Sequence, residues 1–216
     1  MAFFKDKKKS LHKESPQIIS STLGSKISRC MVVNGDIISC EAIVVDGRVN
    51  GDIISNKTIK LNKGCVVFGK IKAKDVIVDG ILEGPIEAEN IEIGKSAKTQ
   101  GYMIANTITI AGESDGDILA KSTLIIKKGA DVTTLETKSK VVKVLGIIRG
   151  NITATELLVI RDNGMVDGDI RSKEYFCSGD SKITGTITRY IDNISNKSNY
   201  NYKKIYNKIK EVKRIR

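Results

Sequence analysis

The chain has 216 residues and carries 36 Lys and Arg against 25 Asp and Glu, a formal charge of +11. It is 40% hydrophobic but only 5% aromatic, with no Trp and two Pro, which argues against a core of large rings and favours β-branched strands. With His12 as its one histidine, it offers no Ser-His-Asp triad, no His-ligated metal and no His acid–base chemistry, so no catalytic or metal-ligating residue is assigned.

Residues 1–21 read as a basic leading tail. Its first twenty residues hold five Lys against Asp6 and Glu14. Phe3 and Phe4 stand directly before Lys5, and Lys7, Lys8 and Lys9 follow. Aromatic side chains beside a cationic cluster suit insertion at an anionic bilayer surface, so these six residues are the expected membrane contact. No signal-peptide apolar region and no run near the ~18 residues of a membrane span is present, which predicts a cytoplasmic chain. The four cysteines, Cys30, Cys40, Cys65 and Cys177, show no CxxC and no zinc spacing, in keeping with a reducing compartment.

Residues 22–189 are nearly neutral, with 23 basic and 21 acidic side chains, and they repeat. The signature is Gly-x-Ile-x-small: it opens at Gly35, Gly51, Gly69, Gly84, Gly101 and Gly116, passes a degenerate copy at Thr133–Thr137, and returns at Gly150, Gly168 and Gly185. Successive spacings are 16, 18, 15, 17, 15, 17, 17, 18 and 17. The residue two after the opening position is apolar in every copy, with Leu135 filling that place in the degenerate one. The residue four after is Ser, Ala or Thr in nine of the ten, with Arg189 in the last, and the spacing of two puts both on one face of a strand. A second alternating pair follows (Ile43/Val45, Ile59/Leu61, and so on to Tyr175/Cys177), then a corner Gly, and a third apolar position precedes the next signature. Three short strands per ~17 residues predict one coil of a parallel β-helix, and ten coils at roughly 4.8 Å make a rod about 45 Å long. The Asp after several signature glycines, as at Asp36, Asp52, Asp117 and Asp169, reads as a corner residue accepting from backbone donors rather than a calcium ladder.

A β-helix that simply stops leaves an unpaired, apolar rung at each end. The expected end rungs hold Val33, Ile37, Ile43 and Val45 on one side and Phe176, Ile183 and Ile187 on the other. Stacking two such ends buries both and continues the sheet as an open filament.

Residues 190–216 form a basic closing tail, with eight Lys and Arg against Asp192 and Glu211. Tyr202, Ile205, Ile209 and Val212 fall at helical spacing among cations, a pattern for a disordered segment or an amphipathic helix on lipid, a partner protein or nucleic acid.

The rungs, with VDGRVNGDI at 45–53 and VDGILEGPI at 78–86, resemble the bactofilins. The resemblance covers residues 22–189. It implies a right-handed, triangular β-helix that polymerises end to end without nucleotide, and the chain accordingly has no P-loop or GxGxxG and is assigned no cofactor. It further implies a scaffold under the cytoplasmic membrane, reached through the Phe-Lys leader, that serves cell-shape or envelope machinery, including envelope or cell-wall enzymes as partners. The alternative reading is a monomeric or dimeric adaptor that binds nucleic acid or a protein through its basic tails.

Overall fold

The computed structural model describes residues 24–191, and within them the chain is all strand: a parallel β-solenoid of about ten turns. The readings made for the two tails, including Phe3, Phe4, Lys5, Lys7, Lys8 and Lys9 and the helical spacing after residue 200, lie outside the described residues. Every ladder is parallel, and each strand inside the stack pairs with the strand one turn earlier and one turn later. The ladders form three faces. The signature face runs from Ile37–Ser39 to Ile187–Arg189; the second runs from Ser25–Ile27 to 174–177; the third runs from Val32–Asn34 to Lys182–Thr184.

The period-two alternation decides what lies inside. On the signature face Ile37, Ile53, Ile71, Ile86, Met103 and Ile118 stack in register, and each turn's next inward residue is a small Ser or Ala. The second face contributes two inward residues per turn, such as Ile59 and Leu61, and the third contributes one, such as Val49, Val67 and Leu82. These residues form one continuous buried core. Small residues are needed where the signature face turns into the second. There the Ser55 hydroxyl donates to the Glu41 carbonyl at 2.7 Å, and the Ser139 hydroxyl does the same to Ser122 at 3.2 Å.

The wandering repeat length has a structural cause at the corner between the second and third faces. Four-residue turns at 28–31, 62–65, 94–97, 127–130 and 161–164 are each closed by a hydrogen bond from the fourth N–H to the first carbonyl, at 2.9–3.1 Å. Between them lie two-residue corners at 46–47, 79–80, 111–112 and 145–146. Long and short corners alternate, so consecutive coils differ in length while the three faces stay in register. A Cβ on Gly47 would run into the carbonyls of Ser28 and Met31 in the turn beneath, which is why the short corner carries glycine.

The corner between the third and signature faces uses a different device. Asp36 accepts the backbone N–H of Asp52 at 2.8 Å, Asp52 accepts that of Lys70 at 2.7 Å, and Asp169 accepts that of Thr186 at 3.1 Å. Each carboxylate therefore fastens its own coil to the next.

The degenerate copy is built differently from the sequence expectation. Thr137, not Leu135, stands between Ile118 and Ile152 on the signature face, and Leu135 is 73% exposed. The Asp117 carboxylate accepts the N–H groups of Leu135 at 3.1 Å and Glu136 at 3.0 Å, which draws an extra residue out into the corner and delays re-entry of the chain. On the third face of the same coil Val132 points inward and is fully buried, while Asp131 faces out and pairs with Arg149.

Candidate polymer interface

The two ends of the solenoid are edges of the same sheet. Among the described residues, Ser25–Ile27 pairs only with 43–45, Val32–Asn34 only with Arg48–Asn50, and Ile37–Ser39 only with Ile53–Ser55. At the opposite end 174–177, Lys182–Thr184 and Ile187–Arg189 are likewise paired on one side only. Each end thus offers three short rows of backbone donors and acceptors around an apolar centre.

The residues expected at these ends fall into two groups. Val33 and Ile37 lie on the terminal strands of one end and Ile183 and Ile187 on those of the other. All four face inward, in line with fully buried or nearly buried residues one turn deeper: Val49, Ile53, Val166 and Ile170. They are nonetheless partly or well exposed, with Ile187 at 37%. Ile43 and Val45 are not on an end. Ser25–Ile27 lies on them as a further strand, and both have no exposed surface. The terminal residue in that row is Ile27.

Phe176 is on the last turn but points outward. It pairs with Val159, between the inward-facing Leu158 and Ile160, and its ring takes the Arg161 guanidinium at 5.3 Å. The inward positions there are Tyr175 and Cys177, and Tyr175 is 58% exposed although Leu158 beneath it is fully buried. Tyr175 therefore replaces Phe176 at the centre of that end. The alternation Tyr175/Cys177 is the sequence signal that finds it.

The first strand is held down by charge as well as by its ladder. Lys26 Nζ lies 3.1 Å from Asp46, and the Asn62 amide donates to the same carboxylate at 2.6 Å. The Asn62 hydrogen bond, with Lys26 second, holds the Asp46 carboxyl below the usual carboxylate range. Burial pushes the Cys177 thiol up at the other end. Among the described residues no group of three or more His, Cys, Asp or Glu side chains is placed to hold a metal ion, and no helix is long and apolar enough to cross a membrane.

The family comparison agrees with this geometry. The family model for bactofilins, described as polymer-forming cytoskeletal, matches residues 25–111 and again 102–188. Comparison with curated proteins and with solved structures returned no match. Two matches that together span the whole solenoid place this chain in the bactofilin family of polymer-forming cytoskeletal proteins.

Proposed function

We propose that the protein is a non-enzymatic scaffold that assembles end to end into filaments without nucleotide, lies beneath the cytoplasmic membrane and organises cell-shape or envelope machinery there. The observation that carries this reading is the pair of apolar ends that no other described residue covers. Val33 and Ile37 at one, and Tyr175, Ile183 and Ile187 at the other, continue columns whose inner members are sealed from solvent. At about 25 cal/mol per Å² of apolar surface removed from water, closing such ends is favourable, and the open strand edges supply direction. Membrane attachment is assigned to Phe3, Phe4, Lys5, Lys7, Lys8 and Lys9. One copy binds weakly, since each Lys gives only ~1 kcal/mol at an acidic surface, but a filament displays many copies at once.

Sedimentation with and without anionic liposomes tests both parts. Ile187→Arg places a charge at the centre of one end, and the variant is expected to keep its β-structure while remaining in the supernatant. Removing residues 2–9 is expected to leave filaments that no longer travel with liposomes. Pelleting of Ile187→Arg and Ile37→Arg at the wild-type level would refute end-to-end stacking, and liposome binding unchanged by the deletion would refute the anchor.

A further inference from the structure

The third face carries an open, shallow concavity midway along the rod, of about 510 Å³, lined from residue 81 to residue 149. Its lining is acidic beyond what its cations neutralise. Lys98 is taken by Glu113 at 2.7 Å and Arg149 by Asp131, which leaves Glu83 and Asp115 without an ion pair among the described residues. Glu136 is also exposed, and it follows Thr133 of the lining by three residues. Exposed large apolar side chains on the described residues gather at the two ends of the rod, apart from Ile81 and Leu135. Ile81 lines the concavity, and Leu135 is the residue that Asp117 draws outward beside it. Surplus carboxylates flanked by two bare aliphatic side chains select a segment that is cationic and intermittently apolar.

We propose that this concavity docks the chain's own segment 200–216, a role independent of polymerisation. That segment places Ile205 and Ile209 among six Lys and Arg between Lys203 and Arg214. The reach is sufficient. The described chain ends at Ile191 on the last coil, and Asp115 lies four coils away, about 19 Å at 4.8 Å per coil. The ten residues from Ile191 to Asn201 can span about 33 Å when extended. Docking holds the basic segment against the side of the rod, away from acidic lipid and nucleic acid, so those ligands compete with the concavity for it.

The test is photo-crosslinking of the full chain carrying benzoylphenylalanine in place of Tyr206, with the products mapped by mass spectrometry. Crosslinks are expected within 81–83, 98–100, 113–117 and 131–136. Their yield is expected to fall about tenfold when Asp115→Lys and Glu136→Lys reverse the charge, and to fall again in about 0.5 M salt. Circular dichroism verifies that the doubly substituted chain keeps its strands. A Leu135→Ser variant, which leaves the charge intact, is expected to lower the yield as well. Crosslinks to other faces, or groove crosslinks insensitive to all three substitutions, would overturn the proposal. Filaments that persist while the crosslinks vanish would leave end-to-end assembly standing, so the two readings fail separately.

Discussion

Thr137 occupies a position where the nine other coils place Ile or Met, and its Oγ1 is fully buried without a hydrogen-bond partner, as is Ser114 Oγ on the third face. An unsatisfied buried hydroxyl costs about 1–3 kcal/mol, whereas a methyl of the same shape costs nothing there. Thr137→Val is therefore expected to stabilise the chain by about 1 kcal/mol in denaturant melts. A loss of stability would mean that the hydroxyl has a partner. Cys65 shows the opposite case of a group suited to its surroundings. Fully buried under Gly80, its thiol is pushed by desolvation from the ordinary 9.0 up to about 11. Two pKa units leave about a hundredfold less thiolate near pH 8. Alkylation followed by mass spectrometry is expected to modify Cys30 and Cys40 promptly and Cys65 only after unfolding. Because the folded state binds the Cys65 proton more tightly, this group favours folding below pH 9 and ceases to do so as pH rises through about 11.

At the scale of the coil, the signature glycines do two jobs that can be separated. Gly35 and Gly69 both have positive φ, at 134° and 150°, so a side chain is strained at either. Only at Gly69 would a Cβ also meet the carbonyl of the glycine one coil earlier, Gly51; at Gly35 it meets nothing within 4 Å. Gly69→Ala is therefore expected to lower the melting temperature more than Gly35→Ala, and equal losses would assign the whole requirement to backbone conformation. The same coils show what the sequence makes legible. Gly-x-Ile-x-small recurs with period-two inward positions, so ten coils and their buried columns could be read directly. The departures arise where local chemistry imitates or hides the pattern. Thr133-x-Leu135 mimics a signature two residues early, and what overrides it is the Asp117 carboxylate, a side-chain-to-backbone bond with no periodicity. Ser25 hides the first strand because a polar residue sits in an inward place at an end where it costs nothing. Between Phe176 and Tyr175 the error is one residue, and in a strand one residue exchanges the two faces.

For the molecule as a whole, the two family matches cover the solenoid in two lengths, 25–111 and 102–188, that overlap at residues 102–111 within one covalent chain. In that overlap Met103–Ile110 pairs in parallel with Ile118–Ile126, and the inward residues Met103, Ile108, Ile118 and Leu124 are nearly or wholly buried. The sheet and its core thus run through the overlap as they run through every other coil, from Ser25 to Arg189 among the described residues. At its two ends the described residues pair on one side only, and the proposed filament continues the sheet there with further copies. The ion pairs between neighbouring coils, such as Lys57 with Glu41 at 2.5 Å and Lys70 with Glu87 at 2.8 Å, are exposed or half-exposed and add little each. Assembly through apolar ends and strand edges should accordingly tolerate salt, whereas tail contacts with acidic surfaces should not. Electron microscopy of the purified protein at low and high salt, without nucleotide, tests this most directly. The account predicts long filaments at both salts, built from units about 45 Å long at roughly 4.8 Å per coil. Discrete rods of a single protomer's length at both salts would contradict it.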